Sequence, residues 1–74
     1  MSVQAFLESE ISTLVIKIES ATNKQVLTIA ECSEYSGHSY EVIRQAILGS
    51  KLKASGKRPY RITSIAFAKW LLGI

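Results

Sequence analysis

Leu27-Thr28-Ile29-Ala30-Glu31-Cys32-Ser33-Glu34-Tyr35-Ser36-Gly37-His38-Ser39-Tyr40 is the stretch on which the fold turns. Thr28 followed three positions later by Glu31 is a capping box. The hydroxyl accepts from a first-turn N–H, and the carboxylate accepts from the threonine's own N–H. A helix is therefore predicted from here to Ser36, where Gly37 tolerates the left-handed turn that ends helices. Ser39 offers a second N-cap just beyond, and the next helix is predicted from Tyr40 to about Leu48, stopped by Gly49. Two short helices thus meet at a tight turn.

At 100° per residue the second of these helices sorts into two faces. Ile43, Ala46, Ile47 and the flanking Val42 are predicted to point inward, and Tyr40, Glu41, Arg44, Gln45 and Leu48 outward. Beyond Gly49-Ser50, the runs Leu52-Lys53-Ala54-Ser55 and Pro59-Tyr60-Arg61-Ile62 flank Gly56-Lys57-Arg58 and read as a β-hairpin. Pro59 cannot donate to a ladder, which makes it an edge hairpin. Thr63 or Ser64 then caps a last helix, Ile65 to Leu72. Its apolar residues fall on two faces, one of Phe67, Trp70, Leu71 and Ile74 and the other of Ile65, Ala68 and Leu72.

Upstream, Val3 to about Thr22 contains neither glycine nor proline and places Leu7, Ile11, Leu14, Ile18 and Ala21 at alternating spacings of four and three. This is a heptad seam on one long helix, widened by Phe6, Val15 and Ile16 until it needs an apolar partner. Two arrangements satisfy it: a helix folded back on its own domain, or a dimerisation helix, which is the expectation favoured because a chain this short has little core to spare. The expected organisation is an amphipathic helix over residues 1–24 and a second unit over residues 25–74. The whole is mainly α, in the order α, α, α, β, β, α.

Composition narrows the function. A chain of 74 residues buries only about 60% of its unfolded surface and forms one globule. No apolar run approaches the roughly 18 residues a membrane span requires, and nothing resembles a secretory leader. The single cysteine, Cys32, has no partner for a disulfide or metal site and is expected as a small core residue in a reducing, cytoplasmic setting. Residues 1–37 carry two lysines against five glutamates, whereas residues 38–74 carry seven basic residues against Glu41 alone. A polyanion would meet the second half.

Two helices about a glycine turn, followed by a hairpin bearing Lys53, Lys57, Arg58 and Arg61, are the parts of a winged helix-turn-helix. The exposed Tyr40, Arg44 and Gln45 suit the major groove, where arginine pairs with guanine and glutamine with adenine. The hairpin cations suit phosphates, and the helix starts at Thr28 and Ser39 add N–H groups for phosphate oxygens. Each feature taken alone has a plainer reading. Arg44 and Gln45 would serve equally as a solvated helix face, Lys57 and Arg58 as a soluble turn, His38 as a structural turn residue. Phe67 and Trp70 read as core on their spacing. No nucleophile, general base or metal cluster is assembled, so no enzyme, cofactor or metal is expected.

Residues 27–71 resemble the MerR-like excisionase family of helix-turn-helix domains. The resemblance rests on Leu27-Thr28-Ile29-Ala30-Glu31, Tyr35, Gly37, Ser39, Leu52, Gly56-Lys57-Arg58-Pro59-Tyr60-Arg61-Ile62, Phe67, Trp70 and Leu71. Ser36, His38, Leu48 and Pro59 depart from the family's usual residues, and the first 24 residues have no counterpart in its minimal domain. What the resemblance implies is binding to double-stranded DNA through Thr28, Ser39, Tyr40, Glu41, Arg44, Gln45, Lys53, Gly56, Lys57, Arg58 and Arg61, in a bacterial or phage setting. The role implied is that of an excisionase-like recombination directionality factor or small architectural protein. A small transcriptional regulator would use the same surface, and a protein adaptor would use the apolar helices instead. A homodimer is expected, with Phe6, Leu7, Ile11, Leu14, Ile18, Ile65, Ala68 and Leu72 as its contacts or as contacts to another protein.

Overall fold

The computed structural model describes the backbone of residues 3–74 and the side chains from residue 8 onward. Within them the order is α1 (Val3–Thr22), β1 (Val26–Leu27), α2 (Ile29–Ser36), α3 (Tyr40–Leu48), β2 (Ile62–Thr63) and α4 (Ser64–Leu72). The protein is mainly helical with one small antiparallel sheet.

Each helix stops for a local reason. α1 ends where Asn23 adopts φ 57°, its N–H donating to the Glu19 carbonyl at 2.8 Å while the Thr22 hydroxyl donates to the Ile18 carbonyl at 2.8 Å. Asparagine tolerates that left-handed conformation better than most residues. α2 begins with the expected capping box: the Glu31 N–H donates to Thr28 Oγ1 at 3.2 Å and the Thr28 N–H to Glu31 Oε1 at 3.0 Å. Gly37 closes α2 at φ 78°. α3 ends at Leu48 before Gly49, but Gly49 keeps φ −86° and the left-handed residue is Ser50, at φ 60°. α4 is capped by Thr63, whose Oγ1 accepts from the Ala66 N–H at 3.1 Å.

The sheet departs from the expected hairpin. β2 pairs with β1, in the register Val26 to Thr63 and Leu27 to Ile62, rather than with residues 52–55. The reason lies at the end of α3, where the Lys51 and Leu52 N–H groups both donate to the Ala46 carbonyl, at 2.9 and 3.1 Å. The start of the expected strand thus completes the end of a helix. What remains of the hairpin is one bridge, Ser55 to Arg61, with reciprocal backbone hydrogen bonds of 2.9 and 2.7 Å. β1 itself is too short to show an alternation in the sequence.

The described residues share one core. Ile18 of α1, Leu27, Ile29, Cys32, Ile43, Leu52, Ile62, Phe67 and Ala68 are buried together. α1 packs mainly on α4, and also on α2. The second half of α1 is therefore part of the globule that residues 25–74 form, and Ile18 and Ala68, expected as contacts to a partner, are covered by their own chain instead. Towards its start the seam loses cover: Ile18 is fully buried, whereas Leu14 and Ile11 are only partly so. Phe6 and Leu7 lie outside the described side chains. Among the described residues no helix is long and apolar enough to cross a membrane.

Candidate nucleic-acid interface

The turn between α2 and α3 is held by serines. Ser36 Oγ donates to the Cys32 carbonyl at 2.8 Å and accepts from the His38 N–H at 3.3 Å, while Ser33 Oγ donates to the His38 carbonyl at 2.7 Å. The His38 ring meets Trp70 edge-on at 5.2 Å between centroids. Both unusual turn residues, Ser36 and His38, therefore act in fixing the angle at which α3 leaves α2. Ser39 adds the cap, its Oγ accepting from the Val42 N–H at 3.2 Å.

α3 buries Ile43 and Ala46 and exposes Tyr40, Glu41, Arg44, Gln45 and Leu48. Val42, expected inward, is 48% exposed. With a helix of nine residues resting on one narrow stripe, position 42 lies too far round to reach the core.

On the exposed face Glu41 holds two side chains at once. Its Oε1 accepts from Arg44 Nη1 at 3.1 Å and from Gln45 Nε2 at 2.8 Å. The bond from Gln45, with the Arg44 charge close by, holds the Glu41 carboxyl below its ordinary range. An exposed pair of this kind is screened by solvent and holds its partners weakly, so both side chains are easily released to another acceptor.

Gly56 shapes the loop that remains of the wing. It has φ 72°, and a Cβ there would stand 2.9 Å from the Pro59 carbonyl oxygen, so only glycine fits. The loop this allows, residues 56–60, is closed by the Ser55–Arg61 bridge.

That loop faces the start of α3 across a cleft of about 680 Å³ lined by Thr28, Ile29, Ala30, Tyr40, Arg44, Lys57, Arg58, Pro59 and Tyr60. Three cations and two tyrosines stand in its walls and no carboxylate does. Five of the eleven residues expected to contact DNA are thus brought together: Thr28, Tyr40, Arg44, Lys57 and Arg58. Gly56 supports the loop from beneath. Ser39 is committed to its cap. Glu41 and Gln45 line a neighbouring groove with Val42, Lys51 and Trp70.

Lys53 and Arg61 lie elsewhere, in a groove of about 620 Å³ shared with Lys51, Lys69 and residues of α4. The four hairpin cations expected to contact phosphates thus fall into two pairs, Lys57 and Arg58 at the cleft and Lys53 and Arg61 at this groove. Pro59, Tyr60, Ile29 and Ala30 are not among the residues expected to contact DNA, although Tyr60 beside a basic glycine loop carries a usable signal.

Of the expected protein contacts, Ile65 and Leu72 are exposed, at 50% and 39%. The thiol of Cys32 is buried, and burial pushes it up to about 12, which leaves it a protonated packing group. No family model matches the chain, and no curated protein or solved structure matches it either.

Proposed function

We propose that this chain is a sequence-specific binder of double-stranded DNA, a winged helix-turn-helix in which α3 enters the major groove and the loop over residues 56–60 grips the backbone. The observation that carries the proposal is the cleft in which Tyr40 and Arg44 stand opposite Lys57 and Arg58 with no acidic group between them. Arginine on an exposed helix offers paired donors to guanine O6 and N7, and loop cations neutralise phosphates. The acidic α1 end and the basic remainder orient the molecule towards a polyanion. The role is one of binding and not of catalysis. The small size and the resemblance to MerR-like excisionases favour an excisionase-like or architectural role; repression at a promoter would use the same contacts. Self-association belongs to the proposal, since a second copy would present a second α3 to a second half-site.

The test is a salt titration of binding to DNA from around the chain's own gene. Binding that weakens linearly in log K against log salt supports phosphate-dominated contact. Absence of salt-sensitive binding at micromolar protein overturns it.

A further inference from the structure

The groove between the base of the wing and α4 has a composition unlike the cleft. Lys51, Lys53, Arg61 and Lys69 line it together with Ile65, Trp70 and Ile74, and no acidic side chain does. Ile65 and Ile74 are each about half exposed. A groove lined by both apolar and cationic side chains is suited to an acidic segment that also carries apolar side chains.

The chain contains such a segment. The described first turns of α1 hold Glu8 and Glu10, both exposed, and no basic residue before Lys17. The apolar seam there loses its cover within the chain, from Ile18 fully buried to Ile11 partly buried, and continues in sequence to Leu7. Two such ends laid side by side would bring glutamates together. Against the groove, each glutamate meets lysine or arginine.

We infer that the N-terminal turns of α1 in one copy dock in the Lys51–Lys69 groove of the next, with Ile11 and its seam against Ile65 and Trp70 and with Glu8 and Glu10 towards the lysines and Arg61. This deepens the self-association proposed above by naming its surface, and it does not depend on DNA. The contact is heterologous, groove to helix, so a pair joined by one contact keeps one free groove and one free helix end, to which further copies add.

Sedimentation velocity over low to high micromolar protein tests this, with the emission of Trp70, the single tryptophan, as a second readout. Three proteins are compared: wild type, Glu8→Lys/Glu10→Lys, and Lys51→Glu/Lys69→Glu, each checked for folding by its circular dichroism melt. The wild type is expected to grow beyond a dimer with concentration and to dissociate with salt. Each reversal is expected to weaken association by roughly tenfold or more, and the two variants mixed in equal amounts to associate again, with the Trp70 emission shifted. Wild type that stays monomeric throughout overturns both this inference and the self-association it rests on. Association left unchanged by Lys51→Glu/Lys69→Glu overturns the groove alone and points to a symmetric α1 seam. So does a groove variant that associates normally but loses DNA, which would make the groove a phosphate contact.

Discussion

The hydroxyl of Ser64, at the first turn of α4, donates a 2.6 Å hydrogen bond to the carboxylate of Glu19 in α1, 45 positions away in sequence. One position before it, Thr63 caps α4 and closes the register of β2 on β1. The end of α1, the sheet and the start of α4 are therefore one joint, and the angle of α4 beneath the turn of α2 and α3 depends on it.

Ser64→Ala removes a charge-assisted bond at a site only 4% exposed and is expected to destabilise the fold by about 1–2 kcal/mol. Ile18→Ala, one position before Glu19 and fully buried, is expected to lose about 2–5 kcal/mol. Urea titrations check both. Unchanged midpoints would mean that α1 is dispensable to the domain.

Thr28→Ala breaks the capping box of α2 and is expected to lose about 0.5–2 kcal/mol. Because Thr28 also lines the cleft, DNA affinity is to be measured well below the melting temperature, where folding is complete.

Glu31 is linked to pH. The Lys24 ammonium, 2.9 Å from its Oε2, and then the Thr28 N–H hold its carboxyl below the ordinary value of 4.5. A carboxyl with a lowered folded pKa contributes stability that is present above the unfolded value and lost as pH falls through the folded one. Thermal melts should therefore show wild type losing more stability than Glu31→Gln as pH falls below 4.5. Parallel curves would contradict the link.

Cys32 runs the other way. Its thiol stands at about 12 when folded against 9.0 as an ordinary group, so the unfolded state ionises first and stability falls as pH rises above that ordinary value. A thiol reagent near neutral pH should label the protein only after urea unfolds it. Rapid labelling of the native protein would show the core open at α2.

How much of this was legible in the sequence follows from the range of each signal. Thr28 with Glu31, Gly37, Ser39 and Thr63 act within a turn of where they stand, and both ends of α2 and the starts of α3 and α4 follow from such local chemistry. β1 gave no signal because Val26 and Leu27 acquire their strand only by meeting Ile62 and Thr63, a contact set by the tertiary fold. The expected strand over residues 52–55 does not form for a similar reason: the N–H groups of Lys51 and Leu52 go to Ala46, which periodicity cannot show. The cleft was half legible. Tyr40, Arg44, Lys57 and Arg58 follow from an exposed helix and a basic turn, but the place of Lys53 and Arg61 beside α4 depends on how α4 packs, a tertiary contact.

The central claim is that the cleft divides the work, with Arg44 reading bases and Lys57 and Arg58 gripping backbone. Fluorescence anisotropy with a selected DNA site and a scrambled duplex, at about 50 and about 200 mM salt, measures this on wild type, Arg44→Ala and Lys57→Ala/Arg58→Ala. Arg44→Ala is expected to lose about 1–3 kcal/mol of preference for the selected site. The double variant is expected to weaken both duplexes alike and to lower the salt slope by about 2. If all three proteins bind both duplexes equally at both salt concentrations, the cleft is not a DNA interface.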